Sequence, residues 1–452
     1  MTNGQYPGRG GRDEDVWDIS ENQTRYILDN FPDAAVFPVR VQDDSRYPVE
    51  FLYRRRHLVT RERDVSRVEE VLGAREHTIA RGAERFDIAG VTHPIPGLAL
   101  IELDGSGDDP GDDGRTLFAA LLSIRAILGP AIAAPDHLVH LTPSTGCPAT
   151  EPEPAIRVDP QPGVSRSRCD GRGTLVVVVD SGLVPGAADS HSWMHGVTGD
   201  DDEEVRQVVA GQQPTIVDRY GGHGTFIASI VRAMAPRAEV RVPRYLKRGA
   251  AIYETDLVAA LLPVLDWAPD VISLSAGTHT WLDEGLLSFK VFVPGPLRAA
   301  SGTVLVAAAG NDGRDWKFAP AEMDGVIGVG ALGAPGDALA WFSDFGDWVD
   351  VFAPGEDLVH AFPPGVYTYT ETPDKIGQQA TFTGMARWSG TSFSTPVVAG
   401  LIAARMSGTG ESSREAADAL LRLARAQALP GVGPVLRPGQ ACLGAEGARC
   451  GC

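Results

Sequence analysis

The sequence predicts an α/β fold in which a doubly wound, mainly parallel sheet is flanked by helices and preceded by a small α+β N-terminal domain. Continuous apolar runs carry this prediction, because strands buried on both faces of a parallel sheet lack polar alternation. A second observation is that helix-like stretches separate several of these runs. The runs lie at 174–179, 271–275, 303–308 and 326–329, and the helix-like stretches at 225–235, 253–267 and 286–300.

A weaker strand candidate lies at 240–245, where arginines alternate with apolar residues and Pro243 interrupts the run. Proline cannot donate to a central ladder, so this segment is expected nearer a sheet edge. Near the end of the chain, residues 413–428 predict a closing amphipathic helix with its leucines turned inward.

The first third of the chain alternates strand-like and helix-like segments over short distances, which predicts the small α+β domain. The strand-like segments are 49–59, 98–103 and 137–141, and the helix-like segments are 65–72 and 115–128. A stretch rich in Pro, Ser, Gly and Glu follows and is typical of a linker. We therefore expect a flexible N-terminus (1–30), the α+β domain (31–145), a linker (146–169), the main α/β domain (170–436) and a cysteine-containing tail (437–452).

Composition narrows the function classes. The 452-residue chain has a net charge of -19 and a pI of about 4.9, which argues against binding to nucleic acid phosphates. The N-terminus lacks the apolar core of a signal peptide, and no run of 18 apolar residues occurs. We expect a cytoplasmic protein that binds no membrane, with unconventional export left open, and the sequence does not indicate an oligomeric state.

The chain has five cysteines, which are few and odd in number, so they do not form a dense disulfide framework. Three of them, Cys442, Cys450 and Cys452, lie in the tail, where they could bind a metal or pair. No histidine lies nearby to complete a tetrahedral site. A reduced, loosely held tail is the simpler interpretation.

Asp180 ends the first valine run, where a rigidly held carboxylate could orient a partner; a turn aspartate that caps the next loop is the alternative. His223 lies among glycines, ahead of the apolar helix 226–234. Its imidazole could exchange a proton near neutral pH, as acyl transfer requires, or it could be a loop histidine at a helix start.

Ser392 lies among small residues at the predicted start of a helix, beside unpaired N–H groups and the positive end of the helix dipole. That setting suits a nucleophile whose reaction develops negative charge. Asn311 ends another strand-like run, and its amide could donate to a developing oxyanion or belong to an Asn-Asp-Gly turn.

These four residues occur in the order Asp, His, Asn, Ser, and their motifs resemble those of the subtilisin-like serine proteases, the subtilases. The resemblance covers roughly residues 170–436. The matching motifs are Val-Val-Asp180-Ser-Gly, Gly-Gly-His223-Gly-Thr, Ala-Ala-Gly-Asn311-Asp-Gly and Ser-Gly-Thr-Ser392-Phe-Ser-Thr-Pro.

The resemblance implies a role for each residue in hydrolysis of a protein or peptide substrate. Ser392 would attack the scissile carbonyl, His223 would accept and return the proton, and Asp180 would fix the imidazole. The Ser392 N–H and the Asn311 side chain would bind the oxyanion. No cofactor is required by this chemistry, and no metal-ligating residues are predicted.

The resemblance also places the substrate. An extended peptide would pair with 274–277, and the S1 pocket, which takes the P1 side chain before the scissile bond, would lie between that strand and 307–310. Both walls are small and apolar, so we expect an apolar or uncharged P1 residue. Phe393-Ser394 and Ser275-Ala276-Gly277 depart from the family's usual Met-Ala and Ser-Leu-Gly or Ser-Trp-Gly. The candidate substrate-binding residues are Ser275, Ala276, Gly277, Ala308, Ala309 and Gly310.

The N-terminal domain has two interpretations. Its order of strands and helices resembles the subtilase propeptide, which assists folding and inhibits the active site. The propeptide-like interpretation is preferred. The alternative is a permanent regulatory or partner-binding domain, which the missing signal peptide supports, since propeptides mostly accompany exported enzymes.

The acidic run 200–204 is interpreted as a solvated surface loop. Calcium is frequent in the family, but this run lacks EF-hand spacing, so whether the protein binds calcium stays open.

A catalytically silent subtilase fold that binds peptides is the main alternative function. A different hydrolase or a nucleotide-binding protein is disfavoured, because the serine comes last and no glycine-rich phosphate loop follows the first strand.

Overall fold

The computed structural model contains a seven-stranded sheet in which every neighbouring pair of strands is parallel. The structure describes residues 24–37, 51–73, 86–104, 114–141, 150–206, 215–300, 302–370 and 375–443. From one edge to the other the strands are Val351–Pro354, Val326–Leu332, Val304–Ala308, Val271–Leu274, Leu175–Val179, Glu239–Val242 and Thr198–Gly199. The predicted α/β fold is confirmed, and the weaker candidate strand lies second from an edge.

Both faces of this sheet are covered, which explains why four of its strands are apolar without alternation. Along Leu175–Val179, Val176 and Val178 pack into one core, whereas Val177 and Val179 pack into the other. The helices that cover the first face are His223–Met234, Thr391–Thr409 and Ser413–Ala426, and those on the second are Glu254–Val264 and Leu287–Phe292. A π-helical turn, Val293–Leu297, continues the last helix across its two prolines.

The N-terminal domain is an antiparallel sheet with two helices, Val65–Gly73 and Arg115–Leu128, packed against it. Its strands follow the order Ala133–His140, Phe51–Arg61, Leu98–Leu103 and Ile88–Thr92, and Ala34–Phe37 also pairs with the second of these. Ala251–Tyr253 of the main domain pairs with Ala133–His140 and so extends this sheet.

Two expectations about connecting segments need correction. The described part of the predicted linker packs on the main domain: Glu153–Pro154 pairs with Met385–Trp388, and Gln161 pairs with Val359. Within the N-terminus predicted to be flexible, residues 24–30 form a helix whose Ile27 is buried. Residues 1–23 and 142–149 lie outside the described residues.

The start of the tail is fixed rather than loose. A disulfide joins Cys169 to Cys442, which corrects the reduced-tail interpretation for Cys442. Arg405 donates a hydrogen bond of 2.7 Å to the Leu443 carbonyl and holds the same segment. Cys147, Cys450 and Cys452 lie outside the described residues.

Within the described ranges, no helix has the length and apolar character that a membrane crossing needs.

Candidate active site

Asp180 and His223 form a buried hydrogen-bonded pair. Asp180 follows strand Leu175–Val179 directly, and His223 is the first residue of helix His223–Met234. Nδ1 of His223 lies 2.9 and 3.0 Å from the two carboxylate oxygens of Asp180, and both side chains are almost fully buried. Because Nδ1 donates to the carboxylate, Nε2 is the nitrogen that can accept a proton. Among the described residues, Nε2 has no hydrogen-bond partner.

Glycines beside His223 are required for this close approach. Gly222 has a φ of 83°, a conformation that favours glycine. A Cβ on Gly224 would lie 2.4 Å from the Gly182 carbonyl oxygen and 3.2 Å from the Asp180 Cβ. Any side chain at Gly224 would therefore push the histidine loop away from the aspartate loop.

Ser392 lies one residue into helix Thr391–Thr409, as the sequence predicts. Its hydroxyl donates to the Ser275 carbonyl at 3.3 Å, while the Ser275 hydroxyl donates to the Ser392 carbonyl at 2.9 Å. The imidazole of His223 contacts Trp388 and Phe393, each with a ring-centroid separation of 5.4 Å. The fold thus brings His223 to the segment that carries Ser392.

Asn311 is oriented by the residue that precedes the serine. Its Oδ1 accepts hydrogen bonds from the Thr391 N–H at 2.8 Å and from the Thr391 hydroxyl at 2.9 Å. With its oxygen occupied in this way, the amide presents its NH₂ group as the available donor.

Asp202 is a residue that the sequence interpretation missed. It is 2% exposed, and its carboxylate accepts from the Gly222 N–H at 2.8 Å and the Ser181 hydroxyl at 3.2 Å. It therefore joins the loops that carry Asp180 and His223. Glu204 is also 2% exposed, so the acidic run is not simply a solvated loop. The alternation of buried and exposed positions in this run has no counterpart in its uniformly acidic sequence.

Burial raises the pKa of Asp202 to about 7, although hydrogen bonds from the Gly222 and Glu204 N–H groups lower it. The Asp202 carboxyl therefore titrates near neutral pH.

Within the described residues, no group of three His, Cys, Asp or Glu side chains is arranged to hold a metal ion.

The predicted substrate-binding strand is already paired with the N-terminal domain. Gly277 exchanges two backbone hydrogen bonds of 3.1 Å with His140 in antiparallel fashion. Leu141 donates to the Ala250 carbonyl at 3.0 Å, and Leu138, Val139 and His140 pair with Ala251–Tyr253. Residues 138–141, here called the cleft segment, thus lie between two segments of the main domain.

The other candidate substrate-binding residues lie close to the same place. Ser275 contacts Ser392, and Gly310 donates from its N–H to the Thr391 hydroxyl at 3.2 Å. Ala308 ends its strand and is buried. The side chains of Ala276 and Ala309 belong to apolar core clusters.

Comparison with known proteins gives a consistent result. The model of the subtilase family matches residues 171–433. The thermophilic serine proteinase of Bacillus sp. (strain AK1) is 34% identical over 210 residues, which are 44% of this chain and 45% of that protein. The intracellular serine protease of Paenibacillus polymyxa is 31% identical over 250 residues, 52% of this chain and 66% of that protein. The chain thus spans about half to two thirds of these relatives.

Among solved structures, fervidolysin from Fervidobacterium pennivorans, described as a keratinolytic enzyme related to subtilisin, superposes with a TM-score of 0.54. The alignment covers 86% of this chain and 61% of that chain at 17% identity. At this identity the similarity supports the fold alone.

Proposed function

This chain belongs to the subtilase family, and we propose that it is a serine endopeptidase that hydrolyses peptide bonds through Asp180, His223 and Ser392. The observation that carries the proposal is the buried Asp180–His223 pair, whose Nε2 is left without a hydrogen-bond partner among the described residues. That arrangement supplies a base of defined tautomer beside the helix start that carries Ser392.

In the proposed reaction, Ser392 Oγ attacks the scissile carbonyl carbon while His223 Nε2 takes the hydroxyl proton. Asp180 holds the ring and stabilises the imidazolium that forms. Collapse of the tetrahedral intermediate transfers the proton from Nε2 to the leaving amine and gives an acyl-enzyme. Water, deprotonated by the same nitrogen, then releases the acid and regenerates the serine.

Negative charge on the carbonyl oxygen is stabilised in this proposal by the Ser392 N–H and the Asn311 NH₂ group. Ser392 lies within the first turn of its helix, where backbone N–H groups have no intrahelical acceptor. The bonds from Thr391 to Asn311 Oδ1 support the second donor, because they hold the amide in place before substrate arrives.

A propeptide-like role for the N-terminal domain is the finer part of the proposal. The cleft segment pairs with Gly277, on the strand where a substrate would bind, and so would exclude a substrate from it. The domain would therefore inhibit the enzyme until the chain is cut downstream of Leu141.

A fluorophosphonate probe tests the nucleophile directly. An added protease that cuts in the linker first removes the N-terminal domain from every variant; the wild type should then be labelled and Ser392→Ala should not. Ser394→Ala is the matched control, because Ser394 lies on the same buried helix and its hydroxyl donates to the Thr391 carbonyl. A folded, processed wild type that is not labelled would support the catalytically silent alternative.

Processing distinguishes the two roles of the N-terminal domain. Incubated wild type should acquire a new N-terminus between residues 142 and 170, whereas Ser392→Ala should keep its full mass. An uncut chain that hydrolyses peptides would instead indicate a permanent domain.

A further inference from the structure

Phe318 lies where the two walls of the expected S1 pocket meet. A Cβ on Gly277 would lie 2.3 Å from Phe318 Cε1, and a Cβ on Gly310 would lie 3.1 Å from Phe318 Cγ. Gly277 and Gly310 belong to the two wall segments, so the ring contacts both. With the cleft segment paired to Gly277, Phe318 is 2% exposed, so almost none of its ring faces solvent in the full chain.

The ring is held from several directions. Thr278 and Ala319 exchange two backbone hydrogen bonds of 2.9 Å, which fix the chain directly beside Phe318. The His279 ring packs edge-on against Phe318 at a centroid distance of 5.4 Å. His279 is itself fixed by Asp312, at 2.8 Å from Nε2, and by the Lys317 carbonyl, at 2.9 Å from Nδ1. Few alternative positions are therefore open to the phenyl group.

The acidic groups behind the walls do not supply a free charge for a basic side chain. Burial lowers the pKa of His279, but the hydrogen bond and charge of Asp312 outweigh it and raise the pKa, and the Asp312 carboxylate already accepts a hydrogen bond from this ring at 2.8 Å. Burial and the neighbouring Asp312 raise the pKa of Asp344 well above its ordinary value, which favours the uncharged form of that carboxyl.

We infer that Phe318 limits the S1 pocket, so that the enzyme cleaves after small residues such as Gly, Ala, Ser and Thr. The inference rests on the proposed endopeptidase function and narrows the expected apolar or uncharged P1 residue by size. A large P1 side chain would have to displace a packed phenyl ring, whereas a methyl or hydroxymethyl group requires much less displacement.

The test uses the full-length chain after self-processing and peptides that differ only in P1: Gly, Ala, Leu, Phe and Lys. For the wild type, kcat/KM should be at least about tenfold higher for Ala than for Leu, Phe or Lys. Phe318→Ala should raise the Phe-to-Ala ratio of kcat/KM by about 10–100-fold, and Phe318→Leu by less. Because each ratio is measured within one preparation, an incompletely folded fraction does not alter it.

Phe292→Leu is the matched control, since Phe292 is a fully buried phenylalanine in the core between the sheet and its own helix. It should lower the melting temperature without changing the P1 ratio. Cleavage after Phe or Leu as fast as after Ala in wild type would overturn the inference while leaving the protease function intact. An unchanged ratio in both Phe318 variants would also overturn it. If no peptide is cleaved and the fluorophosphonate probe labels nothing, the proposed function fails and the inference fails with it.

Discussion

Asn311 owes its orientation to one neighbour, Thr391, which donates to Oδ1 from both its N–H and its hydroxyl. Asn311→Ala should lower kcat by about 10²–10³ with little change in KM, because the lost donor acts on the transition state; this magnitude is known from subtilisin itself, a member of the same family. Thr391→Val keeps the backbone donor and should cost only about tenfold. Steady-state kinetics on processed enzyme checks both, and equal kcat values for Asn311→Ala and wild type would exclude the amide as an oxyanion donor.

Asp202 should make stability depend on pH in a defined direction. Its folded pKa of about 7 lies above the ordinary value of 3.8, so the folded protein binds more protons than the unfolded chain between these values. The contribution of Asp202 to stability is therefore fully present below about pH 4, falls as pH rises toward 7 and is constant above that. The full change is about 4 kcal/mol at most.

Urea unfolding at several pH values, in a Ser392→Ala background that prevents self-digestion, measures this effect. Asp202→Asn should gain stability relative to its parent as the pH rises from 4 to 7. The exposed neighbour Asp201, changed to Asn, is the control and should follow the parent. If the Asp202→Asn difference is the same at every pH, the residue does not titrate in this range.

The candidate site residues that lie in local sequence motifs are predicted well from the sequence, whereas those positioned only by tertiary contacts are not. Asp180, His223, Asn311 and Ser392 can be recognised because each lies in a local motif at the end of a strand or the start of a helix. Asp202 and Phe318 have no such motif. Asp202 acquires its position through contacts with a loop 20 residues away, and Phe318 through the approach of two separate wall segments. Their partners are set by tertiary packing, which local spacing does not encode.

Helix Thr391–Thr409 connects the site to the disulfide at its far end. A Cβ on Gly408 would lie within bonding distance of the Cys169 sulfur, so only glycine lets the helix pass the disulfide. The bond links residues 273 positions apart and limits the freedom of the unfolded chain. The number and spacing of the cysteines could not predict this pairing, because they do not show which segments of the chain meet.

Breaking this bond should destabilise the main domain. Cys169→Ser in the Ser392→Ala background should lose about 2–4 kcal/mol of unfolding free energy, measured by urea denaturation. Adding a reductant should destabilise the parent in the same way but have no further effect on Cys169→Ser. A parent whose stability is insensitive to reductant would contradict a structural role for the disulfide.

Strand prediction succeeded for the four longest apolar runs of the main sheet, which few other structures explain. It missed the short main-sheet strands Val351–Pro354 and Thr198–Gly199. Ile88–Thr92 escaped detection, because it contains a glycine and none of its residues is fully buried. Ala34–Phe37 has only four residues, too few to show a period. The segment predicted as a linker has no periodic pattern, because it joins the main domain through one two-residue strand and an isolated backbone bridge.

The two parts of the molecule are joined by a buried polar interface as well as by paired strands. His137 donates from Nδ1 to Glu254 at 2.8 Å and accepts from the Trp281 N–H through Nε2 at 3.1 Å. Arg54 lies 3.2 Å from Asp136 and 2.6 Å from Asp256, and it stacks over the Tyr253 ring. Asp136 and His137 lie on the strand that continues into the cleft segment, so the interface holds that segment in place.

Weakening this interface should release the inhibition that we propose for the N-terminal domain. His137→Ala leaves the buried Glu254 carboxylate and the Trp281 N–H with fewer partners, which costs about 1–3 kcal/mol of domain association. Initial rates of peptide hydrolysis by the unprocessed chain should therefore rise about 5–150-fold, with the intact N-terminus verified by mass spectrometry. Arg67→Ala is the matched control, because Arg67 pairs with Asp64 inside the N-terminal domain. After processing, both variants yield the same enzyme as the wild type and should match it in kcat and KM. If unprocessed His137→Ala is no faster than Arg67→Ala, occupation of the substrate strand by the cleft segment does not limit activity.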